Sequence, residues 1–430
     1  MIRAFGLRPP PAPAQRAASG DAEVIVVGGG PAGAAAAITL ARGGVDVLLL
    51  DRYAFPRAKP CGDCLSPGAT PVLARLGALR AVRAADPAEL EGWRLRSPGG
   101  ALLEMPFPAG VRALALDRAA LDAVLLERAR GAGARVRTGA RVTDVIGAAE
   151  RGVAGVRARA DDGSGGDIRA RFVIGADGLR STVGARLDAS RPPPRLRKLS
   201  FTSHVPVAAP GPRPSAFGEL RLGRGLCLGM APVRRQSQRA AAWNVTVVFH
   251  AGRWGRPGRA ARSGYLRAAV EELAGEGVRF DWSGAAEPLA SGAFDRPADA
   301  VSGPGWALVG DAAGYYDPFT GQGIYQALAG GEALGTLLVD ALRGGAVDPL
   351  RVPGWAAYHA RLTRGPRRLQ RAIEAVVSRP ALCDFVFDLL ADSRGLTAAL
   401  GAVTGDLRPT SSLARPALLL ETLKGLCARA

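Results

Sequence analysis

The sequence predicts an α/β protein: a parallel sheet flanked by helices, an α+β second domain built on an inserted antiparallel sheet, and a helical C-terminal region. Three observations predict it. Residues 23–27 (EVIVV) form a short apolar run ending in glycines; an alanine-rich stretch follows, and a second apolar run at 45–50 ends at Asp51. From about residue 191 the pattern changes to strand-like runs separated by Gly, Pro and Arg loops. After Gly323 helical spacing dominates.

A short, continuously apolar run between turn signals reads as a strand buried on both faces. Residues 23–27 and 45–50 fit, with a helix at 34–42 between them that Gly43 and Gly44 stop. Together they make one βαβ unit. Residues 52–68 are rich in Pro, Gly and Cys and read as a loop, and 71–79 as a helix. Alternation at 93–107 predicts strands of another sheet, and Leu121, Val124, Leu125 and Ala129 space a helix over 117–130. Strands are expected at 135–145, 153–160 and 168–174, with a turn at 161–166. Residues 191–195 read as a Pro/Arg linker, 226–230 and 243–249 as strands of the second domain, and 306–309 as a buried strand. The expected division is a disordered leader (1–20) and a nucleotide-binding domain in three pieces (21–90, 110–190, 288–345). A substrate domain (91–109, 191–287) and a helical C-terminal region (346–430) complete it.

With 430 residues, 48% apolar and 22% charged, the chain can bury a large core. The net charge of +18 invites an anionic partner. The charge is nearly all arginine, however, since Lys59, Lys198 and Lys424 are the only lysines, and no basic run interleaves with aromatics. Nucleic-acid binding is therefore not expected. Five cysteines at low density, without a secretory signal, point to a reducing, cytoplasmic compartment. No run reaches the roughly 20 apolar residues of a membrane span, which leaves peripheral contact with the inner membrane face open. Composition sets no oligomeric state.

Three segments carry chemistry. Gly28-Gly29-Gly30-Pro31-Ala32-Gly33 matches G-x-G-x-x-G between a strand and a helix. Gly28 permits the tight turn, Gly30 lets a pyrophosphate approach the backbone, and Gly33 lets helix and strand pack closely. The free N–H groups opening the helix favour an anion. Asp51, about 20 residues on, is placed to bind a ribose hydroxyl pair, with Arg52 beside it. The second segment, Gly175 to Ser181, places Asp177 after a strand, where it also serves as a helix N-cap. The third joins Gly310-Asp311 to the turn Pro318-Phe319-Thr320-Gly321-Gln322-Gly323-Ile324. There Asp311 could accept from sugar-alcohol hydroxyls, and the amides near Gly321 to Ile324 could form a nest for an electron-rich ring edge.

In this order and spacing the three segments resemble the FAD signatures of the flavoprotein family containing para-hydroxybenzoate hydroxylase. Lys59-Pro60-Cys61-Gly62-Asp63 with Leu65-Ser66-Pro67 resembles its geranylgeranyl reductase branch. The resemblance implies a Rossmann-like fold that binds FAD. By it, Gly28, Gly30, Pro31, Ala32, Gly33, Asp51 and Arg52 hold the ADP half, and Arg118 lies near the phosphates. Asp177 is the acid of the middle motif, and Gly310 and Asp311 serve the ribityl–pyrophosphate stretch. Cys61, Gly62 and the Pro318, Gly321, Gly323, Ile324 turn lie at the isoalloxazine. Cys61 is the one catalytic candidate, as proton donor or pocket wall. The sequence departs from that branch where an aromatic Tyr-x-Trp-x-Phe-Pro segment is expected: Cys227-Leu228-Gly229-Met230-Ala231-Pro232 stands there.

Cys61-x-x-Cys64 lacks a second Cys or His pair, so no metal is expected. Cys64 reads as structural, Cys227, Cys383 and Cys427 as core, and His204, His250 and His359 as structural. Tyr315, Tyr316 and Tyr325 read as core more than pocket. No second G-x-G-x-x-G follows a strand, so NAD(P)H is expected as a transient donor. The expected activity is reduction of a carbon–carbon double bond in a lipophilic, isoprenoid- or polyketide-type small molecule. Two alternatives stand beside it: hydroxylation of an aromatic or alkene substrate through a flavin hydroperoxide, and a non-catalytic flavin-binding module with an anionic partner.

Overall fold

The computed structural model describes residues 21–191, 198–206, 216–234, 241–274, 280–345, 350–416 and 418. The expected leader and most of the Pro/Arg linker lie outside the described residues, as does Cys427. The chain opens with β1 (Ala22–Val27), whose last four residues are buried, and α1 (Pro31–Arg42). The helix begins three residues before the expected start because Pro31, fixed near helical φ, occupies its first turn. β2 (Val47–Leu50) follows. The single helix expected at 71–79 is two, α2 (Ala69–Arg75) and α3 (Leu79–Ala84), separated at Gly77, whose φ is +67°. β3 (Gly92–Arg96) and β4 (Leu102–Pro106) form a hairpin. Asp117 caps α4 (Arg118–Gly131) by accepting the Ala119 N–H. β5 (Arg135–Arg137), β6 (Ala140–Ala148), β7 (Gly152–Ala160), β8 (Gly165–Gly175) and the short helix α5 (Thr182–Arg186) follow.

The second half runs through β9 (Lys198–Pro206), β10 (Phe217–Gly223), β11 (Leu226–Arg234) and β12 (Ala241–His250). It continues with α6 (Arg262–Leu273), β13 (Leu289–Gly292), β14 (Trp306–Leu308) and α7 (Gly323–Arg343). Three helices close the described chain: α8 (Trp355–Val377), α9 (Pro380–Ala391) and α10 (Arg394–Thr404).

The parallel sheet has the order β14-β8-β1-β2-β5, and β6 and β7 extend antiparallel from the start of β8. The last residues of β1, β2, β8 and β14 converge on one edge of this sheet. Ligands of open α/β sheets bind at that end of the strands. Helix α1 lies between the sheet and α7, and small residues set their separation: a Cβ on Gly331 would fall 2.2 Å from the Ala32 carbonyl oxygen.

The second sheet has the order β13-β9-β12-β11-β10-β3-β4. It departs from expectation twice. It takes in β13, past the expected boundary at residue 287. And β10 pairs with β3 in parallel, so it is not wholly antiparallel. Helices α9 and α10 cover its β4 edge, where Cys383 and Phe387 pack with Trp93, Leu95, Leu103 and Met105. Asp384 fastens α9 to the β3–β4 turn by accepting from the Ser97 hydroxyl and, at 2.7 Å, the Gly99 N–H. No described helix is long and apolar enough to cross a membrane.

Candidate active site and cofactor cradle

At the β1–α1 turn, Gly28 has φ +107°, and a Cβ there would lie 2.4 Å from the Ala176 carbonyl oxygen. A Cβ on Gly33 would lie 1.9 Å from the Gly28 carbonyl oxygen. These two glycines are not among the residues lining the cavity described below; they let the N-terminus of α1 close onto the sheet. Gly30, Pro31 and Ala32 do line the cavity described below. Asp51 is buried and accepts the Gly29 N–H at 2.7 Å and the Tyr53 N–H at 2.9 Å.

Arg52 and Asp177, like Gly28, Gly33 and Asp51, are not among the residues lining the cavity. Arg52 is exposed, with its guanidinium 4.7 Å over the Tyr53 ring and off the cavity. The Asp177 carboxylate accepts from the Ser181 hydroxyl and from the Thr182 (2.6 Å) and Val183 (3.2 Å) N–H groups. It therefore ties down the first turn of α5, whose N-cap is Ser181 rather than Asp177, and only Ala176, Gly178 and Leu179 of that segment line the cavity.

Around Gly30 the structure gathers cations. Arg118 is buried and bonded twice to Asp122, both at 2.9 Å. Arg57 lies 3.7 Å from Asp51 and 3.5 Å from Asp122. The two guanidinium groups come within 3.8 Å (Arg57) and 4.0 Å (Arg118) of where a Gly30 Cβ would be. Arg57 Nε is buried without a partner among the described residues. Lys59 Nζ sits 4.0 Å from Asp311, and burial first, then the Arg118 charge, pushes its pKa down. An anion in this space would offset that repulsion and meet the uncapped N–H groups of α1. The cradle thus fits a pyrophosphate. Arg57 and Lys59 were not expected as ligands; two cations in one loop carry little signal among 56 lysines and arginines.

Gly310, with φ +63°, Asp311, Pro318, Gly321, Gly323 and Ile324 line the same cavity of about 480 Å³. The 318–323 turn is held from several sides. Asp317 accepts the Phe319 N–H at 2.8 Å, and Gln370 of α8 donates to the Asp317 carbonyl (3.0 Å) and the Thr320 hydroxyl (2.8 Å). Gln322 donates to Asp406 at 2.6 Å, and Ser66 donates to the other Asp406 oxygen at 2.6 Å. Burial pushes the Asp406 carboxyl from 3.8 up to about 7, against those two hydrogen bonds. A raised acid pKa means the folded state holds a proton that the unfolded chain releases, so this group lowers stability as pH rises from about 4 to about 7. Asp406→Asn is expected to flatten the stability loss between about pH 5 and about pH 8, gaining roughly 1–4 kcal/mol at the upper pH. Thermal unfolding at both pH values checks this; identical slopes in parent and variant would refute it.

Beyond the turn the cavity is mainly apolar. Its walls are Leu95, Leu103 and Met105 of the β3–β4 hairpin and Val376, Val377, Phe387, Leu390 and Leu400 of α8–α10. Its floor is β11, with Leu226, Cys227, Gly229, Met230 and Ala231. Cys227, expected in the core, stands on this wall. Burial, with the Asp317 charge adding to it, pushes its thiol up to about 12. Tyr315 also lines the cavity, whereas Tyr316 is buried and Tyr325 half-buried.

Cys61 and Gly62 line the cavity as well. Burial raises the Cys61 thiol pKa, and Arg118 pulls the other way, so at neutral pH the sulfur carries its proton. The loop is held from below by Asp63, whose φ of +57° is left-handed. His204 Nε2 lies 2.5 Å from its carboxylate, and Asn244 donates to it at 2.6 Å and to the Cys61 carbonyl at 2.7 Å. His204 therefore belongs to the support of the Cys61 loop. His250, equally expected to be structural, approaches Glu374 at 3.4 Å on the cavity wall. His359 is buried, and burial brings it down to about 4. Cys61, Cys64, Cys227 and Cys383 are free thiols, and Cys64 pairs with Ala115 in a small sheet. Among the described residues the one group with ligand atoms close enough for a metal is Asp63, Asp117 and His204. It contains no thiolate, and its members are already engaged in the bonds above.

The FAD binding domain family matches residues 21–352, over three-quarters of the chain. This chain belongs to that family. As an FAD-binding protein it is an FAD-dependent oxidoreductase. The menaquinone reductase of Mycolicibacterium smegmatis is 30% identical over 366 residues, covering 76% of this chain and 78% of that protein. The digeranylgeranylglycerophospholipid reductase of Methanosarcina acetivorans is 31% identical over 265 residues, 61% of this chain and 62% of that one. In fold, the chain is similar to a flavoprotein/dehydrogenase from Cytophaga hutchinsonii (TM-score 0.76, 20% identity, 93% and 96% of the two chains covered). It is also similar to the anhydrotetracycline hydroxylase of Streptomyces rimosus (TM-score 0.69, 22% identity, 90% and 76% covered).

Proposed function

We propose that this FAD-dependent oxidoreductase reduces carbon–carbon double bonds in a long isoprenoid chain. The observation that carries the reading is the apolar cavity running from the Pro318–Gly323 turn between the second sheet and α8–α10. A slot of that composition suits an unbranched-to-methyl-branched hydrocarbon better than a polar ring. The relatives named as reductases of menaquinone and of geranylgeranyl lipids support the same chemistry.

Bound reduced FAD supplies a hydride. The chain's own residues supply the rest. Arg57, Lys59 and Arg118 neutralise the pyrophosphate, the Asp51 carboxylate orders the β1–α1 turn, and the braced 318–323 turn fixes where the ring can lie. The walls exclude water. Cys61 holds a proton at Sγ, on the cavity side, and gives it to the second carbon of the double bond. Asn244 and the Asp63–His204 pair keep that sulfur in place. Electrons reach the flavin from NAD(P)H or another donor that docks transiently. Leu382 and Phe385 are exposed on α9, the helix whose inner residues line the cavity, and support peripheral contact with the membrane from which such a substrate comes.

A second reading, hydroxylation of an aromatic or alkene substrate, rests on β11. Its Cys227, Gly229 and Ala231 present small side chains where the resemblance leads one to expect aromatics. One experiment separates the two. The FAD-loaded protein, reduced under anaerobic conditions, is incubated with menaquinone or a geranylgeranyl lipid, and the products are weighed. A gain of two hydrogens per bond is the expected result, lost in Cys61→Ala while flavin loading persists. No anaerobic product, with a gain of one oxygen in air, would replace the reductase reading with the hydroxylase one.

A further inference from the structure

Among the described residues, the charged side chains of the cavity wall beyond the cofactor cradle, Glu219 apart, gather beside the 318–323 turn. Lys198 of β9 donates to Asp317 at 2.9 Å and to Glu374 of α8, and His250 of β12 approaches the second Glu374 oxygen at 3.4 Å. All four side chains line the cavity. They come from the sheet, the turn and a C-terminal helix, and Asp317 is bonded to the turn itself through the Phe319 N–H. Lys198 and Asp317 are 12% and 7% exposed, so the ions are shielded from water together.

The charges are decisive. One ammonium faces two carboxylates, and even a protonated His250 brings the quartet only to neutrality. Glu219, also on the wall, is held by Arg94 and Arg221 and adds no positive charge. Lys59 and Arg118 belong to the pyrophosphate cradle. Among the described residues that line the substrate side, Lys198 is the one cation. A phosphate or diphosphate brought here would compete with two carboxylates for that ammonium at low dielectric, and would face their repulsion. A neutral oxygen meets no such opposition. An ammonium has three N–H donors, and Asp317 and Glu374 use two of them.

Building on the isoprenoid reading above, we infer that the substrate enters with a neutral oxygen-bearing head, a carbonyl or hydroxyl, that accepts the remaining Lys198 N–H. Phosphorylated heads are excluded from the flavin turn. The site thereby chooses among isoprenoid lipids by head-group charge while the apolar walls take the tail.

Binding rather than turnover tests this. The oxidised, FAD-loaded full chain is titrated calorimetrically with phytanol and with phytanyl diphosphate, below their micelle-forming concentrations. The two share one saturated, unreactive chain and differ only in the head. Phytanol is expected to bind, and the diphosphate at least about tenfold more weakly. Glu374→Gln, which keeps the side-chain shape and removes one negative charge, is expected to narrow that gap by strengthening diphosphate binding. If the variant does not fold, the comparison on the parent protein decides alone. Equal or tighter binding of the diphosphate would overturn the inference, because it would mean that the head stays outside and the tail enters first. Binding of neither ligand would overturn the isoprenoid reading itself.

Discussion

Gly33→Ala is expected to purify without the yellow of bound flavin. The added Cβ would fall 1.9 Å from the Gly28 carbonyl oxygen and 3.1 Å from the Ala176 Cβ, and neither can retreat. The first is backbone of the turn that the cofactor needs. The second is held in the turn that follows β8. Relief comes only by sliding α1 off the sheet, which withdraws its free N–H groups from the space beside Arg57 and Arg118. Overpacking of this kind costs about 1–3 kcal/mol in stability. Flavin affinity should suffer more, because the anion site depends on the position of the helix end. The readouts are flavin absorbance per protein and thermal unfolding of the apoprotein. Gly264→Ala provides the contrast. Gly264 lies in α6 with no atom beyond its chain neighbours and its own helix backbone within 4 Å of its would-be Cβ, so it should load normally and gain about 0.5–1 kcal/mol of helix stability. A Gly33→Ala protein that loads flavin stoichiometrically would show that the helix end does not grip the pyrophosphate.

Lys198→Met is expected to destabilise the fold by up to about 3 kcal/mol, because it leaves the buried Asp317 and the half-buried Glu374 carboxylates without their cation. In the parent protein burial pushes the Glu374 carboxyl up, but the hydrogen bonds and charges of His250 and Lys198 prevail and hold it below the ordinary range. A depressed acid contributes stability that is present above its unfolded pKa and lost as pH falls through the folded one. The variant loses that contribution. The gap between parent and variant should therefore be widest near neutral pH and above, and close on acidification. Thermal unfolding from about pH 7 down to about pH 3, through the ordinary carboxylate value of 4.5 and below it, reads this out, and adding Glu374→Gln to Lys198→Met should restore part of the loss. A variant as stable as its parent at the upper pH would show that the ion cluster is solvated rather than buried.

The parts of the molecule legible in the sequence are those that local chemistry dictates. β1, α1 and β2 follow from apolar runs and punctuating glycines. The helix expected over 117–130 and found at Arg118–Gly131 follows from its spacing, and the tight β1–α1 turn from glycine positions that steric contact enforces. The cavity was less legible. Asp63 meets His204 across 141 residues, and Lys198 meets Asp317 across 119 and Glu374 across 176. Such polar pairs carry no periodicity, since each partner alone looks like an ordinary charged or structural residue. Asp177 and Arg52 are engaged away from the cavity. Their motif positions were plain, but the Asp177 carboxylate accepts hydrogen bonds from α5, and Arg52 lies two residues past the end of β2, exposed to solvent.

The walls of the hydrocarbon slot come from chain that contributes only braces to the nucleotide cradle. Gln370 and Asp406 steady the 318–323 turn, while Val376, Phe387, Leu390 and Leu400 line the slot and pack against the second sheet. Selection can therefore act on the two separately. Changes along α8–α10 alter which molecules fit without disturbing the inherited grip on the cofactor, which the β1–α1 glycines make intolerant of change. A lineage built this way can diversify its chemistry quickly from a fixed redox engine, and flavoproteins at about a fifth identity with this same fold bear names as different as dehydrogenase and hydroxylase.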